Sequence, residues 1–147
     1  MSVQIRAMKQ EDVETSGRIC YEAFKNISER HNFRPDFPPP EAAIQLTQAL
    51  FASPQVFSVA AESEGRVVGS NHLWEYDAIR AVGPITIDAH AQSKGTGGKL
   101  MEAVIERGLA SRGVRLVQDS FNMASLSLYA SLGFDVKEPL VFDRRRA

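Results

Sequence analysis

Apolar positions recur with two different periods along the chain, and the elements are marked off where the period changes. Val3 to Met8 alternates as a short strand, and Asp12 beyond it is placed to cap a helix whose apolar positions Val13, Cys20, Phe24 and Ile27 fall at helical spacing. Residues 30–40, RHNFRPDFPPP, hold four prolines in eleven positions and neither period, which predicts a loop kept extended ahead of each proline. Glu41 to Ala52 resumes helical spacing as a second, shorter helix. From Val56 the runs VFSVAAE and VVGSNHLWEY are β-branched and aromatic, and Ser63, Glu64, Gly65 and Arg66 separate them, which is the chemistry of an antiparallel hairpin. Ile79 to Ile87 reads as a third strand, in which Pro84 is expected to interrupt a ladder bond or mark a bulge or edge.

Gln92 to Gly98 is a glycine-rich loop, and behind it Leu100, Met101, Val104, Ile105 and Leu109 trace one apolar stripe of a helix reaching about Ser111. Val114 to Val117 is the next strand. Asn122 to Leu132 is helical and is stopped by Gly133 as a left-handed cap. Phe134 to Phe142 is expected to give one or two short final strands. The order is strand, two helices, three strands, helix, strand, helix and short strands, and the second-half strand, loop, helix and strand predict a right-handed parallel crossover. This is an α/β chain with a mixed antiparallel and parallel sheet flanked by helices.

Composition narrows the setting. A length of 147 residues with 44% hydrophobic content suits a single domain over 1–147, large enough for a core without metal or disulfide. The lone Cys20 rules out an intramolecular disulfide and multi-cysteine zinc sites, so a reducing, cytoplasmic location is the expectation. Seventeen basic against 18 acidic residues give a net charge of -1, which supplies no field for nucleic acid or an anionic membrane. The start, MSVQIRAMKQED, turns polar too early for a signal peptide, and no apolar run is long enough to span a bilayer.

The segment Gln92-Ser93-Lys94-Gly95-Thr96-Gly97-Gly98 lies between a strand and the first turn of an amphipathic helix, where unpaired N–H groups and the helix dipole suit an anion. A plain flexible turn needs the same glycines. A P-loop would need Gly at Ser93 and Ser or Thr at Leu100, and a dinucleotide fingerprint from Gly95 would need Gly or Ala at Leu100; both fail. The pattern that fits is Q/R-x-x-G-x-G/A, with Gln92, Gly95 and Gly97. A second segment, Asn122 to Phe134, matches N-x-x-A-x-x-L-Y-x-x-x-G-F at Asn122, Leu128, Tyr129, Gly133 and Phe134, while Ser125 stands in the alanine slot beside Ala124. With these two motifs at this spacing, the chain resembles the GNAT superfamily of N-acetyltransferases over nearly its whole length.

The resemblance implies an acetyl-CoA site and no metal. Pantetheine would bond backbone near Ile87 and Ala89, and pyrophosphate would rest on Gln92, Ser93, Lys94, Gly95, Thr96, Gly97 and Gly98, with Lys94 and Lys99 as charge partners and Asn122 and Tyr129 at the second motif. The transfer of acetyl to an amine needs a neutral amine, a polarised carbonyl and a proton for the departing thiolate. Tyr129 is the candidate donor to the thiolate, because a phenol and a thiol are of comparable acidity; a packed core tyrosine is its structural counter-reading. Glu75, Asp88, His72 and His90 are the candidate bases, Glu75 first, each weighed against a solvated surface role. Cys20 lies on a helical apolar stripe and is no nucleophile.

The resemblance also places the loop of residues 30–40 over the acceptor cleft. There Phe33 and Phe37 would pack an apolar portion, and Arg30, His31 and Arg34 would favour a carboxylate or phosphate, against the alternative of a plain solvated connector; Trp74 and Tyr76 would either add to the pocket wall or pack a helix. A small-molecule amine is the expected acceptor, because the net charge lacks the acidic excess that lysine-rich tails would favour, and protein N-termini and lysines stay open. Only 13 residues follow Phe134, where family members commonly carry two full strands, so a short last strand would leave an edge for a homodimer to cover. Two readings from other classes remain open: a non-catalytic acyl-CoA sensor that keeps the groove, and an interaction domain with no use for it.

Overall fold

In the computed structural model, which describes residues 2–91 and 95–140, the chain builds one mixed sheet with helices on both faces. The strands are β1 (Gln4–Ala7), β2 (Val56–Ser63), β3 (Arg66–Trp74), β4 (Ile79–Val82), β5 (Thr86–Ile87) and β6 (Gly113–Leu116). The helices are α1 (Val13–Arg30), α2 (Pro40–Ala52), α3 (Thr96–Gly108) and α4 (Met123–Ser131). The sheet runs β1-β2-β3-β4-β6, with β5 also paired to β3. All pairings are antiparallel except β4 with β6, which is parallel across the α3 crossover.

β2 and β3 form the backbone of the sheet, paired from Val56↔Trp74 to Ser63↔Arg66 around a turn that puts Glu64 and Gly65 at positive φ. Side-chain alternation divides their faces. Leu73, Asn71 and Gly69 face α3: the Asn71 amide donates to Leu100 O at 3.3 Å, and a Cβ on Gly69 would lie 3.2 Å from Leu100 Cδ1. Val59, Ala61 and Leu73 pack there with Leu100 and Val104 as the main apolar core. The opposite face takes α1 and α2. The two helices touch closely where Gly17 meets Ile44, since a Cβ on Gly17 would stand 2.6 Å from Ile44 Cα.

At the start of α1 the local chemistry differs from the expected cap. The Asp12 carboxylate makes no forward capping bond into α1; it accepts from Lys9 N at 2.7 Å and from Arg6 Nη1 at 2.7 Å, while Arg6 Nε reaches Glu62 at 2.6 Å. The Arg6 guanidinium holds the buried Asp12 carboxyl below its ordinary range. The staple ties β1 to β2 and to the turn Gln10–Asp12 that leads into the helix.

Three other expectations need correction. The run from Ile79 to Ile87 is two strands, because the chain breaks at Gly83, Pro84 and Ile85. α3 ends at Gly108, before Ser111. Residues 134–140 form no strand: Asp135 to Leu140 are all exposed, with three charges and Pro139 in a stretch that finds no ladder partner among the described residues. The rest of that predicted element, through Phe142, lies outside the described residues. Among the described residues no helix is long and apolar enough to cross a membrane.

Candidate active site

A defect in the sheet creates the site. Leu73 pairs with Val82 and Ser70 with Thr86, so Asn71 and His72 of β3 oppose three residues, Gly83, Pro84 and Ile85, and the extra residue makes a bulge. Gly83 sits at φ 121 and is followed by a cis peptide to Pro84. The backbone groups at the bulge find local partners: His72 N donates to the Asn71 side chain at 2.8 Å, and Gly83 N to His72 O at 2.9 Å. On one side of the bulge β4 pairs with β6; on the other, β5 pairs among the described residues with β3 alone, so the chain leaves β6 at Val82.

This divergence exposes backbone. Asp88 N donates to Val68 O at 2.8 Å, so by strand alternation the N–H and C=O of Ile87 point away from β3 into the gap. At the base of the gap stands the N-terminus of α3. Gly95 has φ 74, which favours glycine, and the first helical bond is Lys99 N to Gly95 O at 3.1 Å, so the N–H groups of Thr96, Gly97 and Gly98 precede the helical ladder. The Thr96 hydroxyl is buried and has no partner among the described residues. Gly97 serves packing: a Cβ there would lie 3.1 Å from both Ile87 Cδ1 and Leu128 Cδ2, so glycine lets α3, β5 and α4 converge. Gln92, Ser93 and Lys94 lie outside the described residues. Lys99 does not face the gap as a charge partner, since its ammonium donates to Val3 O at 3.3 Å.

The second motif has a local explanation. Asn122 caps α4, its side chain accepting from Ser125 N at 3.2 Å. At the other end Gly133 has φ 96, Gly133 N bonds Ala130 O, and Phe134 N bonds Tyr129 O at 3.1 Å, the pattern of a Schellman cap. That cap brings Phe134 edge-on to Tyr129 at 6.2 Å, so the L-Y-x-x-x-G-F spelling fixes the position of the phenol. Burial pushes the Tyr129 hydroxyl up to about 12, which keeps it protonated at neutral pH and able to donate.

The base candidates separate. Glu75 is held by Arg107 of α3 through two bonds of 3.2 Å, with Arg107 lying over the Phe57 ring, so the first-ranked candidate is an ion-paired strut on the α3 face. His72 is fully buried on the other face, its Nδ1 2.8 Å from Ser58 Oγ, and burial lowers it to about 4. Asp88 and His90 stay next to the gap, on the turn after Ile87 that also carries Ala89; Asp88 accepts from His90 N at 2.9 Å, and His90 and Ala89 are exposed. Cys20 is buried and pushed up to about 12, an unreactive thiol.

The loop of residues 30–40 is anchored by an aromatic contact that sequence reasoning missed. Asn32 at φ 60 ends α1 in a second Schellman-type cap, with Phe33 N bonding Ser28 O at 2.9 Å. Phe33 then stacks on Phe121 at 4.6 Å and His31 on the same ring at 4.8 Å. Phe121 directly precedes the Asn122 cap, so the stack joins the loop to the lead of α4. Phe37 packs edge-on to Phe24, and Arg34 is exposed. Trp74 is not an open wall: its indole donates to Gly83 O. One hollow lies between the β1 edge and α3, and a second, beneath the start of α1, is lined by Asp12, Arg18, Glu62 and Asp88.

Comparison with known proteins bears on the fold and the family. Residues 21–134 match the family model described as Acetyltransferase (GNAT) family. No curated protein matches the chain. Similar solved structures include the PaiA N-acetyltransferase from Thermoplasma acidophilum in complex with coenzyme A, with TM-score 0.80 and 18% identity over 95% of this chain and 93% of that one. The aminoglycoside N-acetyltransferase AAC(6')-Iy, in complex with the bisubstrate analogue CoA-S-monomethyl-acetylneamine, has TM-score 0.76 and 17% identity over the full length of both chains. A transcriptional regulator from Bacillus halodurans C-125 has TM-score 0.73 and 17% identity over 98% of this chain and 100% of that one. At these identities the likeness shows the fold.

Proposed function

The chain belongs to the GNAT acetyltransferase family, and on that premise we propose that it is an acetyl-CoA-dependent N-acetyltransferase acting on the primary amine of a small molecule, without an acyl-enzyme. One observation carries this reading: the bulge leaves the Ile87 backbone edge without a strand partner among the described residues, beside a helix terminus whose first N–H groups lie outside the ladder. Those are donors for an extended amide chain and for a pyrophosphate, and the buried Thr96 hydroxyl adds one more. Acetyl-CoA, when bound, supplies the activated acetyl group.

In this reading Ile87 N–H polarises the acetyl carbonyl and stabilises the negative charge that develops on its oxygen as the amine attacks. Tyr129 gives its proton to the departing sulfur. Asp88 and His90, on the turn after Ile87, are the base candidates that remain near the gap, and they take the amine's proton directly or through water. Ala89 and the segment Gly95 to Gly98 complete the cofactor side, together with Gln92, Ser93 and Lys94, and Asn122 holds α4 against it. Phe33, Arg34 and Phe37 border the acceptor. The acetylneamine portion of one neighbour's ligand supports a small-molecule amine as the acceptor class.

Calorimetric titration of the protein with acetyl-CoA, and of Gly95→Glu in parallel, tests the cofactor site. Micromolar binding that falls about 100-fold or more in the variant is expected, because Glu at φ 74 is strained and brings negative charge to an anion site. Thiol release on addition of a panel of small amines then identifies an enzyme. Binding without release to any amine assigns the sensor reading instead, and no binding at millimolar acetyl-CoA overturns both.

A further inference from the structure

Trp74 ends β3, and its indole Nε1–H donates to Gly83 O at 2.6 Å. Gly83 N is bonded to His72 O, so both polar groups of this residue are tied to β3 within three positions of one another. Gly83 is also the point of departure: before it β4 lies along β6, and after Ile85 the chain has returned to β3. At a bulge where three residues face two, its carbonyl has no place in the regular ladder, and the indole supplies the missing donor. The ring is itself braced. Tyr76 lies 6.1 Å away, and its hydroxyl meets Ser53 Oγ, at the end of α2, at 3.0 Å.

We propose that Trp74 is a positioning residue of the cofactor groove: by holding the Gly83 carbonyl it fixes the bulge, and with it the spacing between the Ile87 edge and β6. This inference rests on the acetyl-CoA reading above. It gives Trp74 a role toward the acetyl donor, whereas the sequence pointed to the acceptor. A groove whose wall can shift offers its backbone donors to an extended ligand in a less well prepared geometry, so the loss falls on affinity for the donor.

Trp74 is the one tryptophan in the sequence, so a uniformly 15N-labelled sample shows a single indole N–H resonance. That resonance is expected to move as acetyl-CoA is titrated into the intact protein. Trp74→Phe, which keeps a ring and removes the donor, is expected to weaken acetyl-CoA binding about tenfold by calorimetry, the scale of one carbonyl left without its partner. Leu50→Ala, a buried position on α2, serves as the control for lost stability alone and is expected to keep wild-type affinity. An indole signal that stays fixed at saturation, wild-type affinity in Trp74→Phe, or an equal loss in Leu50→Ala each overturns the proposal while leaving the acetyl-CoA reading standing. Failure of the wild type to bind overturns that reading and this inference together. Should Trp74→Phe not fold, the indole titration decides.

Discussion

The two halves of the sheet are built to different standards. β2 and β3 are eight and nine residues long and pair almost throughout, with α3 laid over Val59, Ala61 and Leu73. On the other side β4, β5 and β6 have four, two and four residues, and their pairing is interrupted at Gly83 to Ile85. The first half satisfies its backbone and buries its apolar side chains. The second leaves an edge unmatched and collects glycine, proline and a buried tyrosine around it. The difference suggests a division of labour: one half supplies the stability that lets the other keep unsatisfied donors in place.

The comparison is broken most severely by damaging the well-packed half. Leu50→Ala empties a buried site on α2 and is expected to cost about 3 kcal/mol in urea unfolding. The protein that remains folded should still bind acetyl-CoA with wild-type affinity, and a loss of affinity would show that the halves are not separable. A smaller effect, in the other half, comes from Tyr129→Phe. It is expected to lower kcat about tenfold or more, about 1.4 kcal/mol, with unchanged acetyl-CoA binding and little change in stability. Equal turnover in the variant would return Tyr129 to the role of a packed core residue. Since burial raises the phenol to about 12, its ionisation should cause no loss of wild-type turnover between pH 8 and 10.

The smallest effect sharpens the contrast through pH. His72 is lowered to about 4 from an ordinary 6.5, so the unfolded chain binds a proton that the folded one refuses. Its contribution to stability is therefore complete above pH 6.5 and is lost as pH falls toward 4. His72→Gln should flatten the stability profile in that window, by about 1 kcal/mol between pH 6 and 5. Asp12 is lowered as well, but because Arg6 favours its charged form, so its contribution is present above the ordinary carboxylate range and is lost only as pH falls below it, and the two groups can be told apart by midpoint. Urea midpoints measured from pH 7 to 4 would decide the point.

Much of this architecture was legible along the chain because it is local. The hairpin of β2 and β3 follows from alternation around Glu64 and Gly65, and the end of α4 from a glycine whose φ of 96 few other residues adopt. Pro84 marked the break in the third strand although the length of the break did not show. What escaped depends on distant partners. Glu75 has the spelling of a base, and only the fold brings Arg107, 32 residues away, to occupy it. Phe121 carries no signal of its own in the pattern, and only the fold brings Phe33 of the loop of residues 30–40 onto its ring. Trp74 is open to two roles in the pattern, pocket wall or helix packing, because alternation does not say which face meets the acceptor and cannot show the hydrogen bond its indole makes. For the expected final strand, residues 134–140 show the same dependence in reverse, since they have no ladder partner among the described residues.

The short parallel pairing of β4 with β6 has a consequence for how the molecule breathes. Four residues, Gly113 to Leu116, attach the segment that leads to α4 to the rest of the sheet. So brief a seam should open without global unfolding, and the amides of Val114 and Leu116 should exchange with deuterium far sooner than those of β2 and β3. A ligand lying in the gap would touch β6 on one side and the Ile87 edge of β5 on the other. Its grip would then be measured in slowed exchange along β6 as much as in heat of binding, with the donor substrate serving as the strand that the fold left out.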